Sequence, residues 1–133
     1  MFKNKICKLN NNDVMRVLES IDRDVFVVEI DGKHMQSWPD FCLDIEKRMN
    51  FPTSCADHNY DGFVDWMRDL QWLSRKEYAI VIYDFSSFMM YDVKMKELII
   101  ELFEDAILPW WQEEAELYST FAKFTPFNVY LVD

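Results

Sequence analysis

The sequence predicts an α/β domain in which a small three-stranded parallel sheet is packed with helices. Three runs rich in β-branched and aromatic residues carry that expectation: "VFVVEI" (25–30), "YAIVIYDF" (78–85) and "FNVYLV" (127–132). Between them lie segments whose apolar residues recur at helical spacing. Strands separated by helices imply right-handed crossovers and a parallel sheet covered by helices. Gly and Pro are scarce, two and four among 133 residues, which argues against disorder and against a turn-rich sandwich.

Each element has a local reason. Residues 10–22 suit a short helix, with Asn or Asp as cap and Val14, Val17, Leu18 and Ile21 on one side. "VFVVEI" is almost continuously apolar and ends at Asp31-Gly32, as expected of a strand buried on both faces. In "SWPDFCLDIEKRMN", Ser37 can cap a helix and Pro39 is tolerated in its first turn. Phe41, Cys42, Ile45 and Met49 then repeat at helical spacing. That helix should stop near "NFP", because Pro52 pushes the preceding residue out of the helical region. Asn59 can cap the next helix, with Tyr60, Phe63, Val64, Met67 and Leu70 inward. A third major helix should run from about Asp92, with Met95, Leu98, Ile99, Leu102, Phe103 and Ala106 inward, to an end or kink at Pro109. "WWQEEAELYSTF" reads as a further helical piece.

The length suits a single domain spanning 1–133. Half of the residues are apolar, enough for a sizeable core, and the formal net charge is -10. Nucleic acid and anionic membranes both need Lys and Arg to offset phosphate, so neither is an expected partner. A basic protein is. The start, "MFKNKICKLNNN", has no apolar run of the kind a secretory signal needs, and no stretch is apolar enough for a membrane span. Three cysteines, Cys7, Cys42 and Cys55, make an odd and irregular set, a poor disulfide framework that fits a reducing compartment. The expectation is a cytoplasmic protein.

The most informative stretch is "DHNYDGFVDWMRDLQW", where Asp57, Asp61, Asp65 and Asp69 fall four apart. On a wheel of about 100° per residue, the apolar residues gather around Tyr60. Asp61, Asp65 and Asp69 lie roughly opposite, with Arg68 beside them. If the helix persists, Trp72 joins the acidic stripe, where it would suit a partner. A solvated face explains such a run in most proteins, and the helix dipole accounts for Asp61. It does not account for Asp65 and Asp69, since Asp is a poor interior helix former. A purely structural face would gain from Lys or Arg at spacing four. Glu97, Glu101 and Asp105, with Glu104 adjacent, repeat the pattern on the third helix.

Through "VVEIDGKHMQSWPDFCLDIEKRMNFP" and "HNYDGFVDWMRDLQWL" the sequence resembles the barstar family of intracellular ribonuclease inhibitors. "YAIVIYDF", "ELFEDA" and "PFNVYLV" match more loosely. The resemblance implies a barstar-like α/β core over about 24–133, with 1–23 an N-terminal extension and 109–125 an insertion. It implies an inhibitor or immunity protein, not an enzyme, that needs no cofactor. The second helix and the loop before it would plug the active site of a basic ribonuclease or nuclease toxin. By the match, Asp61 and Asp65 take the places of the family's two inhibitory aspartates. Asn59 takes that of a loop–helix contact, and Asp105 that of a peripheral acidic contact. The barnase–barstar pair of that family is itself a standard example of charge-steered binding. The sequence departs from the pattern in places. The loop reads Thr53-Ser54-Cys55-Ala56 where the family has Tyr-rich residues and a Gly. One extra residue, Asp57 or His58, precedes Asn59, and Val64 replaces an aromatic.

The other chemistries are thinly supported. Cys55 and His58 in "CADH" fall short of the four or so ligands of a structural metal site. No nucleophile motif surrounds any Cys or Ser, and catalytic carboxylate pairs face each other across a cleft instead of lining one helix. No Gly-rich phosphate loop exists, with only Gly32 and Gly62 present. The alternative to an inhibitor is a non-catalytic interaction or regulatory module on the same scaffold, binding another partner through the segment around Trp110 and Trp111.

Overall fold

The computed structural model describes residues 3–57, 59–114 and 125–133. In chain order these form β1 (Ile6–Leu9), α1 (Asn11–Glu19), β2 (Val25–Asp31), α2 (Trp38–Arg48), α3 (Tyr60–Asp69), β3 (Glu77–Tyr83), α4 (Val93–Glu101) and β4 (Phe127–Val132). α4 runs on into wider π-helical turns over Leu102–Ile107 and Trp110–Glu114. Most of the insertion expected at 109–125 lies outside the described residues.

The sheet has four strands in the order β1-β4-β3-β2, and every neighbouring pair is parallel. This corrects the three-stranded expectation. The missed strand, "ICKL", pairs with β4 from Ile6↔Val129 to Leu9↔Val132. Four residues, with Lys5 before them and Lys8 among them, carry almost no periodicity, and the strand exists because β4 offers it a ladder. The segment before residue 24 thus contributes a strand and, through α1, a helix.

A second correction concerns β2. It is an edge strand, and its inner half alternates: Val28 and Ile30 are buried, Glu29 and Asp31 exposed. The strand buried on both faces is β3, where Tyr78 through Ile82 are all at most 2% exposed. On one face, Ile30, Ile80, Ile82, Val129 and Leu131 meet Phe41, Ile45, Phe63, Met67, Ile99 and Phe103 from the helices in the main core. On the other, Val14 of α1 packs on Val81 and Val132. Alternation along the strands separates the two sets.

The helix starts follow the sequence. Asn10 accepts the Asp13 N–H, Ser37 the Asp40 N–H, Asn59 the Gly62 N–H and Asp92 the Met95 N–H. Gly32 is required by space, because a Cβ there would sit 2.9 Å from the Asp84 carbonyl oxygen and 3.2 Å from Phe88 Cβ. Pro109 does not end its helix. The Leu108 N–H reaches back to the Phe103 carbonyl, an i→i+5 bond, and the chain stays helical past the proline. A π turn already relaxes the i→i+4 ladder into which a proline cannot donate.

Candidate functional site

α3 is held at both ends. At its start, the Asn59 side chain accepts from Gly62 N at 2.9 Å. A Cβ on Gly62 would lie 2.8 Å from Asn59 Cγ, so the glycine makes room for the cap. Tyr60 stands edge-on to Trp38, with ring centroids 4.7 Å apart, and Phe63 and Met67 are fully buried. At its end, Leu70 turns left-handed (φ 51°) and stays buried. Two indoles finish the helix: Trp110 Nε1 donates to the Arg68 carbonyl and Trp111 Nε1 to the Met67 carbonyl, each at 2.8 Å. These carbonyls belong to the last turn, which has no partners within the helix.

The loop leading into α3 is pinned as firmly. Cys55 is buried and disulfide-bonded to Cys42 of α2, with the Cα atoms 6.5 Å apart. This corrects the reading of the cysteines as unpaired. Cys7 is free and lies on the opposite sheet side to Ile6, which packs in the main core with Cys42 and Cys55. The Glu46 carboxylate accepts from Cys55 N at 3.0 Å and from the Ser54 hydroxyl at 2.8 Å. Trp38 Nε1 donates to the Cys55 carbonyl at 2.9 Å, and Trp66 Nε1 to the Thr53 hydroxyl at 3.2 Å. Cys42, Glu46 and Cys55 form a group with metal-ligating atom types within 4.8 Å of one another. Three donors, two of them bonded together, fall short of a structural zinc set.

On this frame Asp61 and Asp65 are exposed, one turn apart on α3. Among the described residues neither forms an ion pair. Arg68, the nearest cation on the helix, is turned inward. Its Nε donates to the Ala106 carbonyl at 3.0 Å and its guanidinium lies 5.4 Å from the Trp110 ring centre. Asn59 is exposed at the head of the helix. Asp105 is exposed on the π-helical segment that packs beside α3. The structure therefore brings Asn59, Asp61 and Asp65 together on one element and sets Asp105 on its neighbour.

Two expectations about the acidic surface change. Trp72 does not join the stripe, because the helix ends at Asp69. Its indole is half-buried, donating to the Met49 carbonyl at 2.6 Å and meeting Phe51 and Trp66 edge-on. The second acidic ridge is also divided. Glu97 and Glu101 border a groove with Lys8 and Lys96, while Glu104 lies near Lys3 and Lys5. The π turn after Glu101 also takes Asp105 off the α-helical register of Glu97 and Glu101 that the fourfold spacing implied, with Glu104 adjacent to it. His58 lies outside the described residues.

Sequence reasoning missed the Glu46 clamp, the disulfide and the indole caps. Only Glu46 left a trace, at helical spacing from Cys42; the other two depend on tertiary proximity.

Fold and surface define a class: a small acidic α/β protein that displays carboxylates on a braced helix. The sequence matches the family described as Barstar (barnase inhibitor) over residues 25–122, and the chain belongs to that family. The match takes in β2 through α4 and leaves out β1, α1 and β4. No curated protein and no solved structure gives a match. No described helix is long and apolar enough to cross a membrane.

Proposed function

We propose that the chain inhibits a basic ribonuclease by placing Asp61 and Asp65 where the enzyme holds substrate phosphates. The observation that carries this reading is the pair itself: two exposed carboxylates, one turn apart on a helix fixed at both ends, with no cation paired to them among the described residues. A ribonuclease site presents Lys, Arg and His arranged for phosphate. Carboxylates at that spacing accept charge-assisted bonds from them, bidentate where the donor is Arg. Asn59 sets the loop edge against the partner, and Asp105 adds charge from the neighbouring segment. Mutual repulsion among the aspartates in the free protein is relieved when the partner supplies the cations. Trp110 and Trp111 are engaged with α3, which supports this reading over one that uses them as the binding surface.

The test is a titration of barnase, and of basic ribonucleases from the source cell, with the parent and with Asp61→Ala/Asp65→Ala. The parent should inhibit at least one of them. The double variant should keep its circular dichroism spectrum and bind about 10³-fold more weakly or worse, since truncating one partner of a buried charge pair alone costs several kcal/mol. A double variant that inhibits as well as the parent would sink the proposal.

A further inference from the structure

We propose that Cys42 and Cys55 form a reversible two-electron latch whose oxidation state sets how firmly the loop presents the acidic helix. Three observations carry it. The pair joins two elements with different duties, the α2 scaffold and the loop that ends at the cap of α3. Cys55 is also a fixed point of that loop, because its carbonyl accepts from Trp38 Nε1 at 2.9 Å and from the Asn59 N–H at 3.4 Å. Finally, the Glu46 carboxylate lies 3.9 Å from both sulfurs.

Glu46 makes both states tenable. With the disulfide closed, it serves the Cys55 N–H and the Ser54 hydroxyl. With the pair reduced, the same carboxylate accepts the two thiol S–H groups, so neither is left buried without a partner. Reduction therefore removes a covalent tether without breaking the core. Cys7, on the opposite side of the sheet, offers no competing pairing.

The closing reaction is thiol–disulfide exchange with a small-molecule disulfide such as oxidised glutathione. Both sulfurs are buried, so exchange proceeds from a local opening of the 51–57 loop, in which one cysteine thiolate attacks a sulfur of that disulfide and expels a thiolate. The other cysteine then attacks the mixed disulfide at the protein sulfur and expels the second. Two S–H bonds are lost and one S–S bond forms. Both protons and both electrons leave on the two small thiols. A dithiol reductant runs the sequence backwards.

The consequence for binding rests on the proposed inhibitory role; the latch itself does not, and the experiment separates the two. The full chain is equilibrated with oxidised glutathione or with dithiothreitol, then alkylated after unfolding. At most one reactive thiol is expected in the first sample, since Cys7 can itself take up glutathione, and three in the second. Amide hydrogen exchange over residues 51–59 should be about tenfold faster in the reduced protein and unchanged in β3. Cys7→Ser should respond like the parent, and Cys42→Ser should exchange at the fast rate under both conditions. Three reactive thiols after oxidation, or equal exchange in the two states, overturns the latch. With barnase as probe, the reduced form should dissociate about tenfold faster. A chain that shows the exchange difference and inhibits no ribonuclease refutes the inhibitory role and leaves the latch standing.

Discussion

At the scale of single residues, two positions make claims that can be measured. Tyr83 donates its hydroxyl to Glu29 at 2.6 Å across the β2–β3 edge. Burial first, and then the neighbouring carboxylate, push its pKa up to about 12. The fold therefore favours the neutral phenol. That contribution is complete below about 10, the unfolded value, and is lost as pH climbs through about 12. Denaturant unfolding between pH 8 and 12 should show the parent losing stability in that window and Tyr83→Phe losing less. An equal loss in both would mean the pair is not formed in solution. Gly62 is the other case. Gly62→Ala gains about 1 kcal/mol of helix propensity and displaces the Asn59 cap, worth about 1 kcal/mol. The net stability should barely move, while the Asn59 amide resonances shift and any Asn59-dependent binding weakens. A variant stabilised by the full propensity gain with Asn59 unmoved would show that the cap tolerates the methyl.

At the scale of elements, α3 is the piece on which the rest converges. Trp111 donates to Met67 and stacks near Tyr78 and Phe127. Trp111→Phe keeps much of the packing and removes one bond, so thermal unfolding should show a loss of about 1 kcal/mol. A larger fall would mean that the indole supports more than the end of the helix. The same element shows what the sequence could convey. Asn59 as cap, the apolar side from Tyr60 to Leu70, and the exposure of Asp61 and Asp65 are local properties, and all were legible in period and residue type. The end of α3 was not. Leu70 fits the inward pattern, and nothing in its own identity announces a left-handed turn; that one residue moves Trp72 off the stripe. The same limit hid β1, whose few residues take their strand form from β4, and the bond between Cys42 and Cys55, which an odd cysteine count disguised. β2 shows a related limit, since its composition suggests burial on both faces and only the strand order reveals an edge.

At the scale of the whole molecule, a net charge of -10 makes encounter with a basic partner faster at long range and contributes less once contact is made. Stopped-flow measurements should show the association rate falling at least about tenfold between ~20 mM and ~500 mM salt, because screening shortens the reach of the field. The dissociation rate should change much less. A rate indifferent to salt would point to an apolar contact.

The strand order has a bearing on timing. Phe127 bonds its N–H to Asn4, 123 residues earlier, and β4 lies between β1 and β3. During synthesis the first strand therefore emerges with no neighbour to join, and the centre of the sheet stays open until residues 127–132 have left the ribosome. Contacts spanning that much chain also slow folding. A nascent copy would carry its acidic helix well before the sheet beneath it is complete, so its ability to bind should switch on late and all at once.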